Sequence, residues 1–234
     1  MERDVSMEEI SDGRLYGLND LVKADCRDCR GCSRCCRDMG SSIQLDPLDM
    51  FRLSEGLGAS FEELLERCLE LHVVDGVILP NLKMDEKRNC CVFLNDQGRC
   101  SIHSFRPGIC RIFPLGRFYE NRDFRYFLQI RECPASRSKI KVKKWIDTPD
   151  LPKNQEFIRD WHFFLKDLKE TFETEAGAAR QRAVNVYVLK EFYQTPFDPG
   201  QDFYRQFQER LERAGKACEV GGQAVLGRQL IKAT

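Results

Sequence analysis

The run DCRDCRGCSRCC, Asp25 to Cys36, holds five cysteines in twelve residues, the last two adjacent. It is too rich in Arg, Asp and Cys to pack as a regular element. Thiolates two or three residues apart converge on one soft cation when a tight turn aims their side chains inward. Zinc takes four such ligands tetrahedrally, and iron–sulfur clusters take four at their irons. Disulfides fit poorly here, because neighbouring thiols in a tight turn reach disulfide geometry only with strain.

The run has two registers. Cys26, Cys29, Cys32 and Cys36 follow the ferredoxin-type spacing, but Arg37 stands where that pattern has proline. The other register is Cys29, Cys32, Cys35 and Cys36. The side chains of adjacent residues diverge, so Cys35 and Cys36 are expected to serve different centres, or one is a spectator. Neither register alone directs every thiolate to one ion.

Further thiols stand downstream at Cys90, Cys91, Cys100, Cys110 and Cys133. The turn signal NDQG predicts a hairpin with Cys91 and Cys100 on its two arms, able to face one ion. Cys133 ends a predicted strand and is expected to return to the same place. His103, three residues after Cys100, is at a workable distance for a mixed Cys/His zinc set. The two isolated cysteines, Cys68 and Cys218, read as core or spectator thiols. A cluster of bare thiols would be prone to oxidation, so the two groups together are read as metal ligands.

These residues resemble the YkgJ-type cysteine-cluster family, also called the CxxCxxCC or zinc- or iron-chelating domain family. The likeness lies in CRGCSRCC, then CVFLNDQGRCSIH, then FRPGICRIFP, and covers roughly residues 26–134. It implies the second register, with Cys29, Cys32, Cys35 and Cys36 joined by Cys91, Cys100 and Cys110. Cys26 and Cys90 are additional thiols, and with His103 they stand as second-tier ligands. One branch is similar to flagellin lysine N-methylases. Arg106 and Arg111 of the same motif flank Cys110, and guanidinium groups there would offset thiolate charge and donate hydrogen bonds to sulfur.

Around this centre the chain reads as α+β. Residues 1–24 form a loosely ordered polar segment with one short helix. A cysteine-rich metal-binding domain spans 25–148. It carries a helical insertion at 46–72, opened at Asp46-Pro47 and again by a Ser60/Glu63 capping box. Small antiparallel strands follow between turns at NDQG and ENRD. From 149 to 234 a helical extension packs on this domain, with helices near 153–173, 176–194 and 200–215. His72 and His162 read as ordinary core or surface histidines. The loops of 26–134 look poor in apolar residues, so metal binding is expected to contribute much of their folding energy.

Lys and Arg total 37 and so do Asp and Glu, a balance with no global pull toward nucleic acid or anionic membrane. The basic stretch RSKIKVKKW reads as a solvated strand or loop. The acidic start lacks a signal-peptide pattern, and no apolar run suits a membrane span. A cytoplasmic location follows as an expectation, with close-spaced cysteines more often ligands there than disulfides. There is no phosphate-binding or dinucleotide-binding glycine motif. No methyl-donor site is visible either, so catalysis stays open. The reading is a metal-binding module, iron–sulfur or zinc with a slight preference for iron–sulfur, acting in redox, sensing or interaction. The alternatives are a lysine N-methylase-like enzyme and a structural-zinc scaffold offering its helices to an unidentified protein partner.

Overall fold

The computed structural model describes residues 6–25, 33–130, 132–133 and 138–220. Cys26, Cys29 and Cys32 lie outside them, as does the Gly-rich tail beyond Val220. In chain order the elements begin with α1 (Met7–Ile10), β1 (Ser11–Tyr16) and β2 (Leu21–Asp25), then α2 (Pro47–Leu57) and α3 (Phe61–Arg67). Next come β3 (Leu69–Val74), β4 (Val77–Leu82), β5 (Met84–Asp85), β6 (Cys90–Cys91) and α4 (Gly108–Ile112). β7 (Leu115–Glu120), β8 (Asp123–Gln129), β9 (Ser138–Lys141) and α5 (Val142–Ile146) lead to three longer helices, α6 (Leu151–Phe172), α7 (Glu175–Leu189) and α8 (Phe203–Cys218). The class is α+β, with several small antiparallel sheets and a helical C-terminal part.

The start of the chain differs from its polar reading. β1 pairs with β8, and β2 pairs with β9. Val22 and Ala24 are buried on alternate positions of β2, a short period-two signal inside a charged segment. These pairings join residues more than a hundred positions apart, which local patterning does not report.

The helical insertion is also shorter than predicted. Both capping boxes form: Asp46 with Asp49 on α2, and Ser60 with Glu63 on α3. Gly58 closes α2 at φ +60°, a left-handed C-cap that suits glycine. But α3 stops at Arg67 with Cys68 as its buried C-cap, and Leu69–Val74 is a strand paired with β4. Leu69, Leu71 and Val73 alternate with Glu70, His72 and Val74, so the sequence carries both periods and the β4 partner decides. His72 sits on this strand and pairs with Glu70 at 2.9 Å.

The ENRD turn forms the β7–β8 hairpin, with Asn121 and Arg122 both at positive φ, as a tight two-residue loop requires. RSKIKVKKW divides. Lys139–Lys141 belong to β9, and Val142–Ile146 is a helical turn whose Trp145 donates its indole N–H to the Ile112 carbonyl.

The three C-terminal helices bury an aromatic cluster in which Trp161, Phe164, Phe192 and Phe207 pack edge to face or tilted. A single π-turn, Lys190–Gln194, ends α7 and turns Phe192 and Tyr193 inward. Arg210 of α8 is buried and donates to the carbonyls of Glu191, Thr195 and Pro196, satisfying the backbone freed where that turn stops. From the other direction, Asn185 of α7 accepts the Ile78 N–H and donates to the Gly76 carbonyl, pinning the β3–β4 hairpin to the helices.

The buried core runs without a break from Ile43, Leu45, Leu53 and Leu64 through Leu79, Leu82, Ile102 and Leu115 to the helices. At about 1.5–3 kcal/mol per fully buried large apolar side chain, residues 43–128 carry substantial hydrophobic stabilisation of their own. This apolar framework stands beside whatever a bound metal contributes to folding.

Candidate metal centre

Three segments distant in sequence meet at one pocket. The first is a 3-10 turn, Arg34–Cys36, entered through Ser33 at φ +50°. It is held down by an Arg37–Cys90 bridge and by the Asp38 N–H on the Asn89 carbonyl at 3.1 Å. This turn places Cys35 and Cys36 side by side, their Sγ atoms 3.9 Å apart.

The second segment is the loop expected at NDQG. The Asn95 side chain accepts the N–H groups of Gln97 and Arg99, and Gly98 adopts φ +71°. The loop closes with a Leu94–Cys100 bridge, so Cys91 on β6 and Cys100 return to the same side. The third is α4, which carries Cys110. Its first N–H, from Gly108, donates to Asp49 of α2 at 2.7 Å, and this fixes where Cys110 stands. Phe105 packs against Gly56, where a Cβ would come within 2.7 Å of the ring.

Cys35, Cys36, Cys91, Cys100 and Cys110 line the pocket, with His103 and Arg106 beside them. Cys90 is fully buried but does not line it, since successive strand side chains point oppositely. Cys133, four residues beyond the end of β8, does not line it either. Cys68 and Cys218 are buried elsewhere in the core.

The electrostatics follow from this crowding. Burial pushes the Cys110 thiol well up, and Cys91, Cys35 and Cys100 push it further. Burial also holds Cys91 up at about 11, with Cys100, Cys90 and Cys35 adding to it. Cys35 is raised first by its hydrogen bond with Cys36 and then by burial, and Cys100 by burial. The Arg106 charge opposes the rise at both Cys35 and Cys100. Arg106 therefore faces the sulfurs, and its Nη1 also stands 2.5 Å from His103 Nε2. Arg111 turns away and donates to the Ser104 carbonyl. A cation bound among such close thiols would have to draw their protons off.

The donor chemistry fits a soft or borderline cation. Among the described residues no group of three His, Cys, Asp or Glu side chains closes to metal-holding distance. The remaining cysteines of the run, Cys26, Cys29 and Cys32, lie outside those residues.

Fold and site together define an α+β protein with a convergent cysteine cluster. Residues 28–134 match the family model CxxCxxCC, described as a "Putative zinc- or iron-chelating domain". The matched segment is a little under half of the chain. It contains the register Cys29, Cys32, Cys35 and Cys36 and begins after Cys26. No curated protein and no solved structure matches the chain. Among the described residues no helix is long and apolar enough to cross a membrane.

Proposed function

We propose that the chain binds a metal through its cysteine cluster and serves as a redox, sensing or interaction module, the centre being iron–sulfur in preference to zinc. The observation that carries this reading is the meeting of five thiols, from segments up to seventy-five residues apart, around one pocket beside Arg106. The all-thiolate supply favours iron–sulfur over a mixed zinc set, because His103 is engaged with Arg106. In this reading the ligands are drawn from Cys29, Cys32, Cys35, Cys36, Cys91, Cys100 and Cys110, of which the last five line the pocket. Arg106 offsets thiolate charge and tunes the centre.

The test is metal analysis and a visible spectrum on protein purified without oxygen or chelator. Iron with acid-labile sulfide and a broad band near ~400 nm supports the reading. Colourless protein holding zinc alone overturns the iron–sulfur assignment and makes the cluster a structural clasp.

A further inference from the structure

Among the described residues β3 pairs only with β4, and its other side is an open edge. Three contacts on β4 show which way the hairpin backbone faces. The Ile78 N–H donates to the Asn185 side chain, the Pro80 carbonyl accepts the Leu45 N–H, and the Leu82 N–H donates to the Ile43 carbonyl. All three groups point away from β3. Their register partners Val73, Leu71 and Leu69 therefore hold the non-hydrogen-bonded positions of the β3–β4 ladder and turn their own N–H and C=O groups to the outer edge. No backbone bond from the described residues meets them there. The Leu71 and Val73 side chains, on one face of this edge, are 38% and 70% exposed.

Open edges are usually blunted by a proline, a lysine or a bulge on the strand itself. Leu69–Val74 has none of these, and its register runs unbroken through six pairs. The far side of β4 is closed by its bonds to Ile43 and Leu45 and by the Gln44–Asn81 bridge. The strand LELHVV also complements itself about Leu71. Since Leu69, Leu71 and Val73 turn outward, a second β3 can pair antiparallel only where these residues oppose one another. Centred on Leu71, Leu71 meets Leu71, Leu69 meets Val73, and Glu70 meets His72 on both sides of the centre, in the closer non-hydrogen-bonded positions. A slip of two residues sets Glu70 against Glu70 or His72 against His72 instead. Within one chain Glu70 and His72 pair at 2.9 Å with both side chains still exposed, so two copies bring together four groups in which carboxylate and imidazole alternate.

We propose that the chain forms a two-fold dimer in which β3 pairs antiparallel with β3 of a second copy, centred on Leu71, giving one four-stranded sheet in the order β4–β3–β3–β4. The outward N–H and C=O groups of Leu69, Leu71 and Val73 are then satisfied in both copies, and the exposed Leu71 and Val73 side chains form one apolar band across the contact. The same patch serves both copies, and the closed outer sides of β4 stop further growth. One strand pair is a small interface, so the dissociation constant is expected at about 1–100 µM. The dimer is independent of whether the thiol pocket holds iron–sulfur or zinc.

The test is sedimentation equilibrium of the full chain, kept reduced, from about 1 to 200 µM. A reversible dimer is expected. Val73→Lys puts an ammonium on the open edge, and His72→Glu sets carboxylate against carboxylate. Each is expected to weaken the dimer by about tenfold or more. Exchanging the two residues, Glu70→His with His72→Glu, is expected to restore the parent affinity, because the same groups meet in the reverse order. A chain that stays monomeric at the highest concentration overturns the proposal, and slow amide exchange at Leu71 and Val73 in that monomer would put a segment of the same chain on the edge. A dimer left intact by either single variant overturns it too and places the contact elsewhere. An exchanged pair that fails to restore the dimer overturns the register. Should Val73→Lys not fold, His72→Glu and the exchanged pair decide.

Discussion

The hydroxyl of Tyr193, in the π-turn after α7, donates to the carbonyl of Leu45 just before α2, over 3.0 Å and inside the core. One bond thus ties the helical part of the chain to the segment that positions Asp46, Asp49 and, through Gly108, Cys110. The π-turn places the ring where the bond forms. Tyr193→Phe keeps the ring and removes the donor, leaving a buried carbonyl unsatisfied. The expected loss is about 1–3 kcal/mol, read as a lower urea midpoint at unchanged slope. A variant of unaltered stability would show that the bond contributes nothing.

His162 gives the fold a defined acid sensitivity. Its ring stacks on Tyr119 with centroids 3.5 Å apart, and its Nε2 is buried without a partner. Burial holds its pKa down at about 4, with Lys166 and Arg117 pushing the same way and Asp75 opposing. Between roughly pH 6.5 and 4 the unfolded chain binds this proton more readily, so stability is full above that window and falls as pH drops through it. The loss at full titration is about 3 kcal/mol. His162→Phe preserves a flat ring and should flatten the stability–pH curve across the window. An unchanged curve would mean the acid response comes from other groups.

Arg210 holds three carbonyls at 2.6 to 2.7 Å and lies over the Phe197 ring at 3.7 Å. It is the C-terminal clamp of the π-turn. Arg210→Met should cost about 1–3 kcal/mol, since three part-buried bonds to carbonyls are lost together. Arg210→Lys should recover only part, because an ammonium cannot reproduce the planar fork. Thermal unfolding of the three proteins in parallel checks the order; equal stability of the Met and Lys variants would show that the fork geometry is irrelevant.

Much of this architecture is local and therefore legible in the sequence. Asp46-Pro47, Ser60 with Glu63 and ENRD each specify their cap or turn within four residues, and all form. The strand Leu69–Val74 is not legible in the same way, because its alternation follows directly on a helical period and only β4 selects between them. The partners of β1 and β2 lie across the chain and leave no local trace. At the pocket, the cysteines announce themselves by spacing, and the NDQG loop explains why Cys91 and Cys100 face one way. That Cys90 faces away is also readable from strand alternation once β6 is known. The setting of Arg117 is not legible, since nothing in sequence separates a strand arginine that meets solvent from one set against two tyrosines.

Under the metal reading, the cysteines divide by where they stand. Cys100→Ser and Cys110→Ser should each lower bound metal per chain severalfold, because both sulfurs line the pocket. Cys90→Ser, Cys133→Ser and Cys218→Ser should leave the metal content near that of the parent protein, since none of the three lines it. Metal analysis after anaerobic purification separates the two groups. A loss at Cys133 equal to that at Cys100 would place a ligand beyond this pocket and break the division.

Metal removal should loosen the pocket without unfolding the chain. The segments that carry the thiols hang on an apolar framework of Leu45, Leu53, Leu79, Leu82, Ile102 and Leu115, all buried and continuous with the helical core. The pocket itself is built from a 3-10 turn, a short loop and a single-turn helix, elements with few buried residues of their own. Such regions open with far less free energy than the core. Chelator-treated protein should therefore keep most of its helical circular dichroism, while amide hydrogen exchange accelerates over 34–42 and 95–111 and stays slow in α6 and at Val188. A collapse of the helical signal on chelation would show instead that the metal holds the whole fold together, as in domains that are unfolded without it.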